Sequence, residues 1–184
     1  VIGHPIAHSR SPLIHGSWIA EHALDGSYER IDVAPAALPS FMARIRSGEF
    51  VGGNVTVPHK EASLLLVDEL SPAARAMGAV NTIWREEGRL LGDNTDAAGF
   101  LAHLDESVPG WSERVRTALI LGSGGAARAI GFGLKARGLE RIILVNRGAD
   151  RATDLARALG NPVEAQDWSR RHELVEGVDL IVNS

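Results

Sequence analysis

The chain has 184 residues, 45% of them hydrophobic and 23% charged, and a formal net charge of −4 at pH 7. This composition is typical of a globular protein and excludes a disordered tail, a collagen-like fibre and a low-complexity linker. The acidic balance argues against general nucleic-acid binding, no apolar run approaches the roughly 18 residues of a membrane span, and the absence of cysteine excludes disulfides and thiolate metal sites.

Short strands and helices are predicted to alternate in the first half of the chain. Ser11 followed by Pro12 is typical of the N-cap and first position of a helix, which is expected to run to about Leu24. Apolar runs and the residues that break them predict the remaining elements. These are strands at 1–2, 28–33 and 54–57, a helix at 39–47, helices beginning near 59 and 71, and a hairpin that pairs 79–84 with 89–91 around Gly88.

A regular alternation of strands and helices is predicted in the second half, after a helix that Thr95 or Asp96 opens and a polar stretch at 105–116. A βαβαβ order of this kind predicts a right-handed parallel sheet. The polar stretch is the best candidate for a domain boundary, and we place two domains at residues 1–100 and 101–184. The predicted elements are strands at 118–121, 142–145 and 179–182, with helices at 126–137 and 150–159 between them.

A glycine-rich loop joins the first of these strands to the helix that follows it. The G-x-G-x-x-G/A pattern of this loop is typical of dinucleotide binding when it lies between a strand and a helix. Gly122 permits the tight turn, Gly124 lets backbone N–H groups approach a pyrophosphate, and the helix dipole favours the negative charge. The alternative is a tight turn without a ligand. The loop reads Gly122, Ser123, Gly124, Gly125, Ala126 and Ala127.

The end of the second strand indicates which dinucleotide is bound. NAD-binding proteins usually place Asp or Glu there to accept hydrogen bonds from the ribose hydroxyls, whereas this chain has Asn146, then Arg147 and, one helical turn further, Arg151. A carboxylate would repel a 2′-phosphate, and a guanidinium matches phosphate oxygens. We therefore predict NADP as the cofactor, held by the glycine-rich loop and these three residues. The basic residues at 128–151 fit the same anionic ligand, the alternative being solvated helix faces.

Four segments of the first half carry polar residues that a fold alone does not require. Each lies at the end of a predicted strand or the start of a predicted helix, where clefts of α/β proteins form. Their hydroxyls, amides, amine and carboxylate suit a small polyhydroxylated substrate. Taken singly, Ser11 and Asp96 have an alternative role as helix N-caps, and Lys60 as the solvated start of a helix. The segments are 9–12, 54–60, 78–82 and 92–96.

The seven histidines of the chain do not predict a metal site. Four of them lie near the N-terminus, at His4, His8, His15 and His22. The prolines at positions 5 and 12 break any continuous helical spacing of the first three, and no His-Glu-x-x-His motif occurs. We therefore predict no metal.

Six motifs follow one another along the whole chain. They are Gly3-His-Pro-Ile-Ala-His-Ser-Arg-Ser-Pro12, Asn54-Val-Thr-Val-Pro-His-Lys60, Gly78-Ala-Val-Asn-Thr82, Gly92-Asp-Asn-Thr-Asp96, Gly122-Ser-Gly-Gly-Ala-Ala-Arg128 and Asn146-Arg147. This ordered set resembles that of the shikimate dehydrogenase family. The resemblance implies an α/β fold in which an N-terminal α/β substrate domain with a mixed, mostly parallel sheet precedes a Rossmann-type NADP-binding domain. Because members of the family are longer, it also implies a C-terminally truncated chain with an incomplete Rossmann domain.

The resemblance further implies an activity, the NADP-dependent reversible reduction of 3-dehydroshikimate to shikimate on the chorismate route to the aromatic amino acids. It implies a cytoplasmic enzyme, monomeric or homodimeric, with a small-molecule substrate and with no nucleic-acid or membrane partner. By the match of the motifs, Ser9 and Ser11 bind the substrate carboxylate. The residues that contact the substrate hydroxyls are Thr56, Lys60, Asn81 and Asp96.

The chemistry of the residues agrees with Lys60 and Asp96 as the catalytic pair that the resemblance implies. Hydride transfer to a ketone leaves an oxyanion, which requires a proton from a positioned acid. Arginine does not release a proton near neutrality, whereas lysine does, and only Lys60 and Lys135 among the 19 basic residues are lysines. Asp96 is expected to orient the ammonium group. Which of the two exchanges the proton stays open, because their titrations are coupled.

Two other functions stay open on the sequence alone. A quinate dehydrogenase, or a shikimate/quinate dehydrogenase of broad specificity, differs in tolerating one additional hydroxyl on the substrate. A non-catalytic ligand-sensing relative would keep the fold and bind the ligand without turnover, although the presence of both Lys60 and Asp96 argues against it.

Overall fold

Short strands and helices alternate through the first 95 residues. The computed structural model describes residues 1–184 and groups them into two units, Val1–Thr95 and Asp96–Ser184. The first unit also contains 3₁₀ turns at Pro35–Ala37 and Ala62–Leu65. Its strands and helices are β1 (Ile2–Gly3), α1 (Ser11–Glu21), β2 (Ile31–Asp32), α2 (Leu38–Ser47), β3 (Gly52–Asn54), β4 (Glu69–Leu70), α3 (Pro72–Met77), β5 (Thr82–Glu86) and β6 (Arg89–Asp93).

The ends of two of these helices follow directly from the local sequence. Ser71 caps α3 because its Oγ accepts a hydrogen bond from Ala74 N (3.0 Å), and Pro72 occupies the first position. Helices α2 and α3 stop at Gly48 and Gly78, whose φ angles of 91° and 61° are left-handed. Glycine adopts that conformation without the strain that a Cβ would introduce.

The first unit contains two small sheets. Strands β1 and β2 are parallel, and Ile2 forms a further parallel bridge to Val55. The second sheet has the order β3-β5-β6-β4, in which the β3–β5 and β5–β6 pairs are antiparallel and the β4–β6 pair is parallel. Phe41 and Ile45 of α2 pack into the core together with Ile83 of β5. The predicted α/β class and mixed sheet are confirmed. The two antiparallel strand pairs join more residues than the parallel pairs do.

The second unit is built on one parallel sheet with the strand order β10-β7-β8-β9. A parallel sheet in which the chain moves outward from a central strand and then returns to its other side is the first half of a Rossmann fold. None of the helices in either unit is long and apolar enough to cross a lipid bilayer. The elements are α4 (Asp96–Ser107), α5 (Trp111–Arg114), β7 (Thr117–Leu121), α6 (Gly125–Ala136), β8 (Arg141–Val145), α7 (Ala149–Leu159), β9 (Val163–Gln166), α8 (Arg171–Val175) and β10 (Leu180–Asn183).

Alternate side chains of the central strands face two apolar layers. On one side, Ile120 lies in a core that includes Leu134 of α6 and Leu155 of α7. On the other side, Leu119 lies in a core with Leu174 of α8. Because both faces of β7 and β8 are covered, these strands read as continuous apolar runs, which is why their positions are evident in the sequence.

Two strands predicted in the first unit are shorter or displaced. The strand expected at 28–33 contains only Ile31–Asp32, because its partner β1 has just two residues. The strand expected at 54–57 lies instead at Gly52–Asn54. The chain leaves β5 after this point, and the next residue pairs with Ile2 of the other sheet.

The helix predicted to begin near residue 59 is also wrong in the structure. The segment forms only the short 3₁₀ turn at Ala62–Leu65. An α-helix would require the carbonyl of Lys60 to accept from an N–H four residues later. That carbonyl accepts instead from Val80 N at 2.8 Å, which ties the segment to a distant part of the chain.

Three short elements of the second unit have no counterpart in the predicted pattern: α5, β9 and α8. Strand β9 has four residues, pairs only with β8 at the edge of the sheet, and alternates Glu164 and Gln166 with small apolar residues. Such a segment lacks the apolar run that marks the central strands. Residue 100, where the domains are divided in the sequence, lies within α4. The assignment of substrate binding to 1–100 and cofactor binding to 101–184 stays a prediction.

Candidate functional site

A row of polar residues crosses the second sheet of the first unit. Strand β5 runs antiparallel to both β3 and β6, so its amino end lies beside their carboxyl ends. Thr82 is therefore directly opposite Asn54 on one side and Asp93 on the other. Three of the four polar segments meet in this row, although 28 positions separate Asn54 from Thr82.

Asn81 holds two of these segments together through its side chain. It is 8% exposed, and its Oδ1 accepts hydrogen bonds from Thr82 Oγ1 (2.8 Å) and from Thr95 N (3.0 Å). Its Nδ2 donates to Thr95 Oγ1 (3.1 Å). A buried amide that bonds on both its oxygen and its nitrogen has one defined orientation. Asn94 adds a second link, because its buried Nδ2 donates to Ala79 O (2.9 Å).

Backbone hydrogen bonds bring the lysine segment (54–60) beside the segment that contains Asn81. Val55 N donates to Asn81 O (2.7 Å), and Val80 N donates to Lys60 O (2.8 Å). Residues 55–60 are thus fixed at both ends to the asparagine segment (78–82). Lys60 is half-buried. His59 beside it is 1% exposed and donates from Nε2 to Val33 O (2.6 Å), which is a structural role.

Residues 2–4, which precede the serine segment (9–12), lie against Thr56 and Val57 of the lysine segment, and a glycine permits this close approach. Thr56 N donates to Ile2 O (2.9 Å), and His4 N donates to Val57 O (3.1 Å). A Cβ on Gly3 would lie 2.6 Å from Thr56 Cγ2, so only glycine permits this approach. The structure therefore brings the segments 54–60, 78–82 and 92–96 together, and it joins residues 2–4, which precede the two serines, to the first of these segments.

The two serines of that segment face each other at the start of α1. Ser9 Oγ donates to Ser11 Oγ (3.2 Å) and accepts from Ser11 N (3.3 Å). The loop before them is fixed by Arg30, whose Nη1 donates to Ala7 O (2.9 Å) and Ser9 O (3.1 Å). The N-cap position belongs to Arg10, without a side-chain cap bond, so the predicted capping role of Ser11 is wrong. Two hydroxyls beside a helix N-terminus form a set of donors suited to a carboxylate.

The glycine-rich loop of the second unit turns sharply after β7. Gly122 has a φ of +125°, and its N–H donates to Val145 O of the neighbouring strand (2.9 Å). Gly124 is the N-cap of α6 and supplies no side chain to the cap. The first N–H groups of a helix lack intrahelical acceptors and carry the positive end of the dipole. The loop therefore presents backbone donors where an anionic group would bind.

The glycines of this loop differ in what the protein itself demands. A Cβ on Gly122 would lie 2.4 Å from the backbone oxygen of Ser184, whereas a Cβ on Gly124 or Gly125 would meet nothing within 4 Å. Protein packing therefore requires glycine only at the first position. Behind the loop, Ala127 is fully buried against the sheet, which keeps α6 close to β7.

Arginines without protein partners follow the second strand. Arg147 and Arg151 are exposed and form no hydrogen bond or ion pair with the chain, and Asn146 Nδ2 donates to Gly148 O (3.0 Å). Three other members of the basic group at 128–151 have protein partners. Arg137 pairs with Asp105, Arg141 pairs with Glu164, and Lys135 Nζ donates to Leu159 O.

The two residues of the predicted catalytic pair belong to different units. Lys60 lies in the first unit, and Asp96 is the first residue of α4, which opens the second. Thr95, directly before it, donates from its backbone N–H to Asn81. The pairing of Lys60 with Asp96 stays a prediction.

In class, the chain is an α/β protein in which a mixed-sheet unit precedes a Rossmann-type unit. Two family models match it, the shikimate dehydrogenase substrate binding domain over residues 1–83 and the shikimate/quinate 5-dehydrogenase over residues 106–184. The chain belongs to the shikimate dehydrogenase family. This confirms the resemblance that the six motifs indicated.

Individual relatives agree with the family assignment. A shikimate dehydrogenase (NADP(+)) of Methylobacterium radiotolerans is 54% identical over all of this chain, which spans 66% of that protein. The crystal structure of shikimate 5-dehydrogenase from Thermus thermophilus in complex with NADP(H) and shikimate is 42% identical, with a TM-score of 0.88 over 100% of this chain and 66% of that one. Quinate dehydrogenase from Corynebacterium glutamicum in complex with NAD is 28% identical, with a TM-score of 0.92 over 100% and 68%.

Proposed function

We propose that the whole protein catalyses the NADP-dependent, reversible reduction of 3-dehydroshikimate to shikimate on the route to chorismate and the aromatic amino acids. The observation that carries this proposal is the meeting of three polar segments, 54–60, 78–82 and 92–96, in one hydrogen-bonded row. Hydroxyl, amide and amine groups that converge in this way suit a small ligand with several hydroxyls and one carboxylate. The similarity to proteins named as shikimate dehydrogenases supports the same substrate.

The proposed substrate contacts follow from the position of each group. Ser9 and Ser11 are assigned to the substrate carboxylate, because their hydroxyls lie together at the start of α1. Thr56 and Asn81 are assigned to its hydroxyls, together with Lys60 and Asp96. The side chain of Asn81 is held in one orientation by Thr82 and Thr95, which makes it a selective partner for a hydroxyl.

The proposed cofactor is NADP, bound at the second unit. The backbone of residues 122–126 and the N-terminus of α6 would receive the pyrophosphate. Asn146, Arg147 and Arg151 would receive the 2′-phosphate, for which the two unpaired arginines provide the charge. When bound, NADPH supplies the hydride for the carbonyl carbon of the substrate.

Lys60 and Asp96 are proposed to hold and move the proton at the carbonyl oxygen. As the carbon accepts the hydride, that oxygen gains the electron pair of the π bond and requires one proton. The ammonium group of Lys60 is able to donate it or to stabilise the oxyanion, and the carboxylate of Asp96 is able to orient the ammonium. The proton is therefore assigned to the pair and not to either residue alone.

The test is the formation of NADPH when shikimate and NADP are added to the whole protein, followed by absorbance. We expect a rate with shikimate and NADP that exceeds the rates with quinate or with NAD. Failure to reduce either cofactor with either substrate would refute the assignment as an enzyme. Tight binding of shikimate by calorimetry without any turnover would support a non-catalytic ligand-sensing relative instead.

A second candidate is a quinate dehydrogenase or a shikimate/quinate dehydrogenase of broad specificity. The similarity in fold to the NAD-bound quinate dehydrogenase favours it. The absence of a carboxylate at the end of β8, where Asn146 precedes Arg147, favours NADP and the first candidate. A higher kcat/KM with quinate and NAD than with shikimate and NADP would decide for the second.

We also propose a cytoplasmic location, where NADPH is available, and a monomer or homodimer with no nucleic-acid or membrane partner. Fractionation of cells and sedimentation of the whole protein test these two proposals. Recovery in the membrane fraction, or a sedimentation coefficient above that of a dimer, would contradict them.

A further inference from the structure

Tyr28 lies beside the candidate substrate site and has no part in the proposed function. It is the only tyrosine of the chain and is half-buried. Its hydroxyl donates to Asn54 Oδ1 at 2.5 Å. Its ring stacks on the imidazole of His15, with the centroids 4.1 Å apart and the planes 10° from parallel.

His15 connects Tyr28 to the serine segment. It lies on α1, one turn after Ser11, and its Nδ1 donates to Ser11 O (2.9 Å). The imidazole of His15 also contacts the ring of Trp18, with the ring centroids 5.3 Å apart and the planes at 68°. The stack therefore positions the tyrosine ring against α1, which begins at Ser11, one of the two serines assigned to the substrate carboxylate.

Asn54 connects Tyr28 to the polar row. Its Nδ2 donates to Thr82 Oγ1 (3.3 Å), and Thr82 Oγ1 donates in turn to Asn81 Oδ1 (2.8 Å). A side-chain amide has an oxygen that only accepts and a nitrogen that only donates, so its two flipped orientations are chemically different. The backbone N–H of Thr95 can only donate, which fixes Asn81 Oδ1 as the acceptor that Thr82 Oγ1 also bonds. Thr82 must then accept from Asn54 Nδ2, and Asn54 Oδ1 is left facing Tyr28, whose hydroxyl donates to it.

We propose that Tyr28 is a positioning residue of the substrate site, which holds Asn54 in place at the end of the hydrogen-bonded row that Asn81 and Thr82 align. The proposal rests on the proposed function, because it assigns the aligned row to the binding of the substrate hydroxyls. Tyr28 is proposed to act through Asn54 and not through a substrate contact of its own. Its hydroxyl and its stack with His15 instead join the serine segment to the asparagine row.

The protonation state of Tyr28 is consistent with this role. Burial raises the pKa of Tyr28 above its ordinary value of 10.0. The hydroxyl is therefore a donor throughout the neutral pH range, and the orientation of Asn54 does not change with pH there. A positioning residue of this kind affects substrate affinity without adding a titration to the rate.

The test compares Tyr28→Phe with the wild-type whole protein in steady-state kinetics. The variant keeps the ring and its stack but removes the donor. We expect the KM for shikimate to rise about 5- to 10-fold, the loss typical of one neutral hydrogen bond. The kcat and its pH profile are expected to be unchanged. Ser47→Ala is the matched control, because it deletes a hydroxyl that bonds only Arg44 O in α2, and its KM should equal that of the wild type.

A double-mutant cycle distinguishes positioning from a general loss of structure. Thr82→Val interrupts the same chain of hydrogen bonds further along. If Tyr28 acts through Asn54 and Thr82, the KM of the double variant should not exceed that of either single variant by more than about 2-fold. Fully additive effects, an unchanged KM in Tyr28→Phe, or a fall in kcat with a changed pH profile would each overturn the proposal.

An NMR measurement separates this proposal from the proposed function. The side-chain ¹H–¹⁵N signals of Asn54, assigned by their loss in Asn54→Asp, should shift or broaden in Tyr28→Phe and not in Ser47→Ala. This readout needs no substrate. A wild-type protein that fails to reduce NADP with shikimate but shows the Asn54 shift would refute the function and keep the link. An active wild type whose Asn54 signals do not respond would refute the link.

Discussion

The two units present their candidate sites in different ways. In the second unit, the loop at 122–127 offers backbone N–H groups at the end of one strand of a parallel sheet. In the first unit, polar residues from three segments meet across antiparallel strands. The loop of the second unit therefore offers main-chain donors, whereas the row in the first unit offers particular side chains.

The interiors of the two units also differ in their content of buried polar side chains. The buried polar residues are His59, Ser63, Asn81 and Asn94, and all lie in the first unit. The two cores of the second unit consist of apolar residues. A buried polar group is costly to leave without its partner, so the proposed substrate site and the stability of the first unit depend on the same hydrogen bonds. In the second unit the ligand site and the core are separate.

Removal of one side chain should have its largest effect in the first unit. We expect Lys60→Ala to lower kcat with shikimate and NADP by about 10²- to 10⁴-fold, because a positioned proton donor contributes that much to a proton-transfer step. NADP affinity should be unchanged, since Lys60 lies outside the unit proposed to bind it. Steady-state rates and a fluorescence titration with NADP measure the two effects.

The chain offers a matched control for this variant. Lys135, the other lysine, lies in the second unit and donates to Leu159 O. We expect Lys135→Ala to keep the wild-type kcat. Equal losses in both lysine variants would show that positive charge in general, and not a proton donor at position 60, supports the rate.

Two glycine variants should separate stability from ligand binding in the second unit. Gly122→Ala places a Cβ at φ +125°, 2.4 Å from a neighbouring oxygen, and should lower the free energy of unfolding by about 1–3 kcal/mol. Gly124→Ala meets no protein atom within 4 Å, so its stability should equal that of the wild type. Its Cβ would stand where the backbone must approach a phosphate, and NADP should bind about 10-fold or more weakly.

Urea unfolding and NADP titration on both glycine variants make the comparison. The contrary result is a Gly124→Ala protein that binds NADP like the wild type. That outcome would mean that the loop is a tight turn without a ligand, the alternative that the sequence leaves open. Equal destabilisation of the two variants would contradict the separation of ligand site and core in this unit.

The same contrast explains what the sequence predicted. The loop at 122–127 and the strands around it were predicted correctly because strand, turn and helix are contiguous, and each carries its own signal. In the first unit, the helix expected near residue 59 failed because the carbonyl of Lys60 bonds to Val80, a contact that no local pattern encodes. The contact of Tyr28 with Asn54, 26 positions away, left no signal in the sequence for the same reason.

The partners of the basic residues in the second unit were likewise not predictable from the local sequence. The basic residues at 128–151 are alike in sequence, and the structure separates them by partner. Arg137 and Arg141 are paired with acidic residues 32 and 23 positions away, whereas Arg147 and Arg151 have no protein partner. The roles of the individual residues in the candidate sites stay predictions until variants are measured.

The unpaired arginines provide a test of cofactor selection. We expect Arg147→Ala to weaken NADP binding about 10-fold, the loss of one charge-assisted contact to the 2′-phosphate, and to leave NAD binding unchanged. Arg157→Ala is the control, since Arg157 lies on α7 like Arg151 but pairs with Asp154. An equal loss of affinity for NAD and NADP in Arg147→Ala would place this side chain elsewhere than at the 2′-phosphate.

The smallest expected effects concern two carboxylates, one in each unit, that are held by different partners. In the first unit, the Arg46 guanidinium, and then the N–H of Leu90, keep the pKa of Asp68 below its ordinary value of 3.8. In the second unit, the N–H groups of Arg116 and Thr117, each 2.9 Å from Asp179 Oδ2, lower the pKa of Asp179 in the same direction. Both units therefore favour the ionised carboxylate over the protonated one.

The sign of the pH dependence follows from these lowered pKa values. Each carboxylate contributes stability that is fully present above pH 3.8 and is lost as the pH falls through its lower folded pKa.

Salt screens the attraction of an exposed ion pair more than a bond from a neutral N–H. In urea unfolding at pH 2 to 5, Asp68→Asn should therefore reduce the acid dependence less at about 1 M salt than at low salt. Asp179→Asn should reduce it equally at both salt concentrations. Ser47→Ala, which removes no ionisable group, is the control expected to leave the acid dependence unchanged at both salt concentrations. An equal salt response of Asp68→Asn and Asp179→Asn would contradict the assignment of an ion pair to one unit and of backbone donors to the other.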